Sequence, residues 1–550
     1  MTGNEAIAKI LKAEGLDWFA CFPHHTLIDA AAKEGMRPIL SRQERAGVNM
    51  ADGYSRIMCG NRIGVFMMQS GPGAENAFGG VAQAYADSVP ILLLPGGPPL
   101  SGVGMHPGFV SYRNYGGVTK WTEYINQADR IPQLMRMAFT RMKHGRPGPV
   151  LLEISSDAAS QEIPDSAFNY EPVQVRKSAG DPDDVRDMVT ALLNASNPVI
   201  SAGRGILYAE ATDELVTLAE LTNIPVLTTL QGKSGFPEDH PLALGVAGSS
   251  GTQMVGHFLR QTDFVLGIAT TLSSGYSPQI PAGVTVAQIT NSIEDLGVHH
   301  RLAHGAVGDA KLVLQQMIEE VKRQIGEQGR DDVNGVVNEI RKVKGEWLAS
   351  WRPRLESAEV PMNEYRVLNE LHKAVDVSNT IATHDAGYPR DRMCPFWTTD
   401  SPNTYIGWGK STQLGYGLGL ALGAKMAAPE KLVINVMGDA AFGMAGLDIE
   451  TAARSEIPIL TVVLNNGIMT HYDQNMPYAS ERWESNKLSG DYAKVAEGLG
   501  AFAETVETPD QLPGAIARAI AATKEGQPAL LQTMTCGEET VSRYENPAGY

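Results

Sequence analysis

Cysteine is scarce in this chain: Cys21, Cys59, Cys394 and Cys536 are the four in 550 residues, and none has metal-ligand or disulfide spacing. A disulfide scaffold and a cysteine-based zinc site are excluded, and a reducing, cytoplasmic setting fits. Long apolar runs are missing too. No window of about 18 uninterrupted apolar residues occurs, so no transmembrane helix is expected. Met1-Thr2-Gly3-Asn4-Glu5 has no basic stretch leading into an apolar one, so no secretory signal is expected either. Positive charge is in deficit, with 45 Lys and Arg against 62 Asp and Glu and a formal net charge of -17. A nucleic-acid partner needs a concentrated basic face and is excluded on that ground. What remains is 43% hydrophobic and 19% charged, the balance of a soluble globule with large buried sheets. At 550 residues the chain is too long for one core and should hold about three domains.

The richest local signal is Gly438-Asp439-Ala440, followed after 24 residues by Asn465-Asn466. Each closes a short apolar run, Leu432-Val433-Ile434-Asn435-Val436-Met437 in one case and Ile459-Leu460-Thr461-Val462-Val463-Leu464 in the other. Both runs are β-branched and bounded by turn residues, which predicts buried parallel strands. Between them, residues 446–454 predict the crossover helix of a βαβ unit. Acid and amide should therefore emerge at the same carboxyl edge of one sheet, where open α/β folds bind ligands. A carboxylate and an amide oxygen are hard donors suited to magnesium or calcium, with a diphosphate completing the shell. Gly438 and the small Ala440 and Ala441 would let backbone N–H groups approach phosphate oxygens. A plain strand end with a solvated Asp is the competing account.

Far upstream, Ser41-Arg42-Gln43-Glu44-Arg45 leads into Ala46-Gly47-Val48-Asn49-Met50-Ala51-Asp52-Gly53. Gln69-Ser70-Gly71-Pro72-Gly73-Ala74-Glu75-Asn76 and Asp87-Ser88-Val89-Pro90 follow. Together with the Gly-Asp and Asn-Asn blocks, this succession resembles the thiamine diphosphate (ThDP) enzymes of the acetolactate synthase and 2-oxo acid decarboxylase superfamily. The resemblance runs from about residue 2 to residue 532. Its usual Gly-Asp-Gly reads Gly-Asp-Ala here, a small change.

The resemblance implies an α/β fold of three doubly wound parallel-sheet domains: pyrimidine-binding at 1–165, central and nucleotide-binding-like at 185–325, diphosphate-binding at 361–535. The first and third would share a topology, although no sequence repeat shows it. FAD or ADP in the central domain stays open. Gly203-Arg204-Gly205 and Gly232-Lys233-Ser234-Gly235 are glycine turns that could hold a nucleotide or be purely structural. Against FAD, Thr271-Leu272-Ser273-Ser274-Gly275-Tyr276 stands where relatives carry Asp-Asp-Arg. Gln288-Ile289-Thr290-Asn291 likewise replaces an Ile-Asp-Ile-Asp strand.

By the same resemblance, Glu44 is the glutamate that shares a proton with the cofactor's pyrimidine; pairing with Arg42 or Arg45 is the alternative. Leu414 is the apolar wedge that bends the cofactor, and Thr412 and Leu414 offer backbone groups to the pyrimidine. Asp439 and Asn466 side chains and the Ile468 carbonyl would hold Mg2+. Gly387, Tyr388, Gly438, Ala440, Ala441 and Met469 would border ThDP, with Tyr388-Pro389 replacing a Gln-His pair common in acetolactate synthases. In this family Glu44 and the metal residues of one site come from different subunits, implying a homodimer at minimum and a homotetramer as the common assembly.

Residues facing the reacting carbon set the substrate. His25, in Phe22-Pro23-His24-His25-Thr26, falls where several decarboxylases carry a catalytic Ser or Asp, and histidine relays protons near neutrality. Gln69 could bind a carbonyl or carboxylate oxygen, or bond within its own turn. Met469, Thr470 and His471 should face the same cavity; His106 is a lesser candidate. The expected activity is ThDP- and Mg2+-dependent C–C lyase or carboligase chemistry on a 2-oxo acid or related small carbonyl compound, through a C2-carbanion and enamine. The alternatives are a C–C hydrolase of a dione, a 2-hydroxyacyl-CoA or oxalyl-CoA lyase, and a catalytically silent ThDP-binding homologue. The short tail, residues 542–550, offers little basic surface for CoA.

Overall fold

A computed structural model describes the chain except residues 24, 249, 274–278, 332–334 and 545–550. His24, residues 274–276 of the flavin-type segment and the end of the tail therefore lie outside the described residues. Seventeen strands form three sheets, and every strand pair within them is parallel. The first sheet contains β1 (Trp18–Cys21), β2 (Arg37–Leu40), β3 (Gly64–Met68), β4 (Ile91–Gly97), β5 (Trp121–Ile125) and β6 (Val150–Ser155), in the order β2-β1-β3-β4-β6-β5. The second contains β7 (Pro198–Ala202), β8 (Val226–Thr229), β9 (Ala243–Ala247), β10 (Phe264–Ile268), β11 (Thr285–Thr290) and β12 (His304–Val307), ordered β12-β11-β10-β7-β8-β9. The third contains β13 (Thr380–His384), β14 (Leu432–Gly438), β15 (Leu460–Asn465), β16 (Phe502–Val506) and β17 (Ala529–Met534), ordered β13-β14-β15-β17-β16.

Strip the edge strand β2 from the first sheet and its order matches that of the third, strand for strand. The two outer domains share a topology without a visible sequence repeat. The central sheet has the doubly wound dinucleotide-binding order, with its switch point between β7 and β10. These strands are nearly continuous apolar runs because helices cover both faces of each sheet; β3, β6, β7 and β15 are buried along their whole length.

The outer domains meet through two helices, Glu44–Ile57 and Gly417–Ala427. Glycine makes the contact possible: a Cβ on Gly53 would come within 2.1 Å of the Leu420 carbonyl oxygen, and one on Gly423 within 1.9 Å of that of Met50. Buried polar groups fix the register of this interface. Asp52 pairs with Arg56, Tyr416 donates to Asp52 at 2.5 Å, and Arg56 reaches Asp87 and the Gly407 carbonyl at 3.0 Å. Among the described residues no helix is long and apolar enough to cross a membrane.

One expected element differs. The crossover after β14 is helical from Asp439–Ala445, tightens into a 3-10 turn at Gly446–Asp448 and resumes as Ile449–Arg454. Asp448 causes the break. Its carboxylate accepts the Arg42 N–H from the first domain at 2.8 Å and the Thr451 hydroxyl at 2.9 Å.

Candidate active site

β14 and β15 pair directly, with Ile434 opposite Leu460 and Gly438 opposite Leu464. Asp439 and Asn466 thus leave adjacent strands at one sheet edge. Asp439 is 4% exposed, and burial raises its pKa. Its oxygens accept the Ala440 N–H at 2.7 Å and the Gly467 N–H at 2.9 Å, and it forms no ion pair among the described residues. Asn466 Oδ1 accepts the Ile468 N–H at 3.1 Å. The Ile468 carbonyl accepts no hydrogen bond among the described residues. No three His, Cys, Asp or Glu side chains cluster there as an all-protein metal cage. One carboxylate, one amide and one carbonyl instead suit a hard cation whose other ligands arrive with a phosphate. The floor is open: a Cβ on Gly387 would meet nothing within 4 Å, and one on Gly438 only the Pro389 ring at 4.0 Å. The donor set and the open backbone fit a metal-bound diphosphate.

The loop before helix Gly417–Ala427 is tied to this edge by Asp385, which follows β13 in the stretch 384–388 expected to border the diphosphate; its hold on the loop was not foreseen. Asp385 is fully buried and accepts the Gly415 N–H at 2.9 Å and the Gly417 N–H at 2.8 Å. Burial pushes its pKa up to about 6. Leu414 is half-buried against the outer-domain core, and Thr412 is exposed. Glu364 and Arg392 were also missed. Glu364, 1% exposed, pairs with the fully buried Arg392 and accepts the Asn466 side-chain amide at 3.3 Å. Its pKa rises to about 7 through burial, against the opposing pull of Arg392. Met469 is half-buried, its N–H bonded to the Asn486 carbonyl at 2.7 Å. His471 is half-buried, and its ring stands edge-on to that of Tyr388, with centroids 5.2 Å apart. Ala441 is buried and Ala440 half-buried.

A second group gathers at the carboxyl edge of the first sheet. Glu44 opens helix Glu44–Ile57 and is 5% exposed; its carboxylate takes a hydrogen bond from Asn76 at 3.2 Å. Arg42 instead faces Glu450, and Arg45 approaches Gly415. His25 caps helix Thr26–Lys33, with Nδ1 accepting the Leu27 N–H at 3.1 Å, which places the proton of the neutral ring on Nε2. A Cβ on Gly96 would lie 3.5 Å from that Nε2. Gln69 follows β3 half-buried beside Gly73, which in turn adjoins Glu44. His106 is exposed. No hydrogen bond or ion pair among the described residues joins Glu44 to Asp439 or Asn466.

A cleft of about 240 Å³ lies between the first and central domains at the β7/β10 switch point. Arg146, Arg176, Lys177, Arg204 and Lys410 line it, against Asp87, Asp295 and Asp309. The glycines here serve packing: a Cβ on Gly203 would come within 2.2 Å of the Ala269 carbonyl oxygen. Gln288, where an acidic residue was looked for, spends its amide on the Thr270 and Asp295 carbonyls at 3.0 Å and the Gly297 N–H at 2.8 Å.

Comparison with known proteins agrees with this anatomy. Residues 1–125 match the thiamine pyrophosphate enzyme N-terminal TPP binding domain, 185–317 the central domain, and 385–533 the C-terminal TPP binding domain. The chain belongs to the thiamine pyrophosphate-dependent enzymes of the acetolactate synthase superfamily. It is 31% identical to a probable acetolactate synthase large subunit of Methanococcus aeolicus, over 94% of this chain and 90% of that protein. It is 27% identical to the acetolactate synthase isozyme 3 large subunit of Escherichia coli K12, over 98% and 96%. A glyoxylate carboligase of Escherichia coli O157:H7 is 29% identical over 88% and 84%.

Proposed function

We propose that the chain is a ThDP- and Mg2+-dependent carboligase or lyase that forms or breaks a C–C bond beside the carbonyl of a 2-oxo acid. The observation that carries this reading is Asp439, a buried carboxylate without a cationic partner among the described residues, beside Asn466 and an open Ile468 carbonyl. Those three would hold Mg2+ and, through it, the diphosphate. When bound, ThDP supplies a nucleophilic carbon that adds to a carbonyl and accepts its electrons. The residues of the chain orient and move protons around that chemistry. Glu44, dry and held by Asn76, would share a proton with the pyrimidine ring nitrogen. Leu414, on the loop anchored by Asp385, would hold the cofactor bent. His25 Nε2 and His471 would exchange protons with the substrate oxygen, and Gln69 would bind a carbonyl or carboxylate oxygen. Because no hydrogen bond or ion pair joins Glu44 to Asp439 among the described residues, a second copy of the chain would complete each site. The two departures that disfavour a flavin, at 271–276 and 288–291, leave the basic interdomain cleft able to take a phosphate-bearing nucleotide such as ADP.

Purified protein reconstituted with ThDP and Mg2+ should be fed pyruvate, with substrate and products followed by NMR. Acetolactate or acetoin is the expected product. If ThDP is bound and pyruvate persists, the donor assignment is wrong, and acyl-CoAs and cyclic diones are tested next.

A further inference from the structure

The loop between the metal-side amide and the substrate-side histidine is clamped at both ends by one continuous line of side chains. It begins at Asn466, whose Nδ2 donates to Glu364 Oε1 at 3.3 Å and to Thr470 Oγ1 at 3.2 Å. The other oxygen of Glu364 pairs with Arg392, which is fully buried in helix Tyr388–Phe396. The Arg392 guanidinium lies 3.9 Å from the centroid of the Tyr388 ring, a close cation–π contact. The Tyr388 ring then meets His471 edge-on, at 5.2 Å and 69°. His471 itself is strained: φ is +67°, a left-handed conformation uncommon outside glycine. Such a residue persists only where its surroundings over-determine it, and these outliers gather at functional sites. Gln474 supplies the remaining restraint, its Nε2 lying 2.9 Å from His471 Nδ1. With Nδ1 engaged by that amide donor, the proton of the neutral ring sits on Nε2.

We propose that Tyr388 is the positioning residue for His471, and that Arg392 and Glu364 tie this placement to Asn466. Loading of the cation site and presentation of the histidine to substrate are then one mechanical event. The inference deepens the proposed function and rests on Asp439 and Asn466 being the cation site. It also gives Tyr388 a task of its own: its ring, more than its hydroxyl, is what the fold uses.

The test labels His471 with diethyl pyrocarbonate in the full-length protein and reads the modified peptide by mass spectrometry, with and without ThDP and Mg2+. Tyr388→Phe keeps the ring and should label at the wild-type rate. Tyr388→Leu keeps the bulk without the aromatic edge and should label about three- to tenfold faster, the factor an aromatic pair is worth. Its ThDP affinity, measured by titration calorimetry, should change less than its kcat. Arg392→Met removes the cation behind the ring and should abolish any effect of Mg2+ and ThDP on His471 labelling. Equal labelling in Tyr388→Leu and wild type overturns the proposal, as does Tyr388→Phe behaving like Tyr388→Leu. Asp439→Ala separates the two levels: if it retains Mg2+-dependent ThDP binding, the cation-site reading falls; if it loses binding while Tyr388→Leu labels as wild type, only the positioning role falls.

Discussion

Glu44 and Asp439 are both buried acids, and their surroundings give them different work. Among the described residues, Glu44 is held by the Asn76 amide, and the proposal gives it the pyrimidine ring nitrogen. Asp439 accepts two backbone N–H groups and forms no ion pair among the described residues, and the proposal gives it the cation. Glu44→Gln should therefore leave ThDP binding nearly intact and cut kcat by a factor on the order of 10² to 10⁴, the usual worth of a positioned acid–base group. Steady-state rates and calorimetry on one preparation check this, and a fully active variant would sink the mechanism. Glu153 offers a pH test away from the site. It is wholly buried at the end of β6, accepts the Tyr112 N–H at 2.9 Å, and burial pushes its pKa up to about 7. Its unfolded value is the ordinary 4.5. Between those values the native state holds a proton the unfolded chain has lost, so its contribution is complete below about pH 4.5 and erodes as pH rises towards 7. Glu153→Gln keeps the acceptor and has no proton to lose. The difference in Tm between variant and wild type should move in the variant's favour from pH 5 to pH 8, and a pH-independent difference would refute it.

At the scale of the element, the sequence announced what local pattern encodes. The apolar runs ending in Gly438-Asp439 and Asn465-Asn466 are adjacent parallel strands. What went unread is tertiary. Glu364 and Arg392 belong to helices whose local patterns say nothing of a cation site, and only the fold brings them to Asn466. The break at Gly446–Asp448 was equally invisible, because the donor that bends it, the Arg42 N–H, lies over 400 residues away in sequence. Gly419 and Gly423 of helix Gly417–Ala427 also went unread; their reason is contact with the first domain. Gly423→Ala tests that reason. Its methyl would lie 1.9 Å from the Met50 carbonyl oxygen, backbone that cannot give way, so the helices must part. A loss of about 1–3 kcal/mol is expected, the range for overpacking a tight interior, read as a lower urea midpoint. Gly443→Ala, where a Cβ would meet nothing within 4 Å, is the control.

Across the whole molecule, the proposed chemistry would depend on surfaces that join domains and copies. If a second copy completes each site, as proposed, specific activity should fall on dilution in step with the dimer fraction seen by mass photometry. The interdomain cleft adds a second dependence. Its wall includes Lys410, whose Nζ contacts the Thr271 hydroxyl at 3.3 Å and whose pKa burial lowers. Arg146 and Lys177 there are already paired with Asp295 at 2.9 Å and Asp309 at 3.3 Å. A polyphosphate would relieve the cost of burying Lys410 and so bind the folded state alone. ADP should stabilise the fold with the logarithm of its concentration, by about 2.7 kcal/mol at a hundred times Kd, read as a rise in Tm. Lys410→Met should weaken that binding roughly tenfold, the worth of one charge-assisted hydrogen bond. FAD is the informative comparison. If the cleft recognises only the diphosphate and adenosine, FAD should bind no better than ADP. A Tm rise with FAD alone would show a flavin pocket that the glutamine at 288 and the segment at 271–273 argue against. No shift with either would make the cleft a structural seam between the first and central domains.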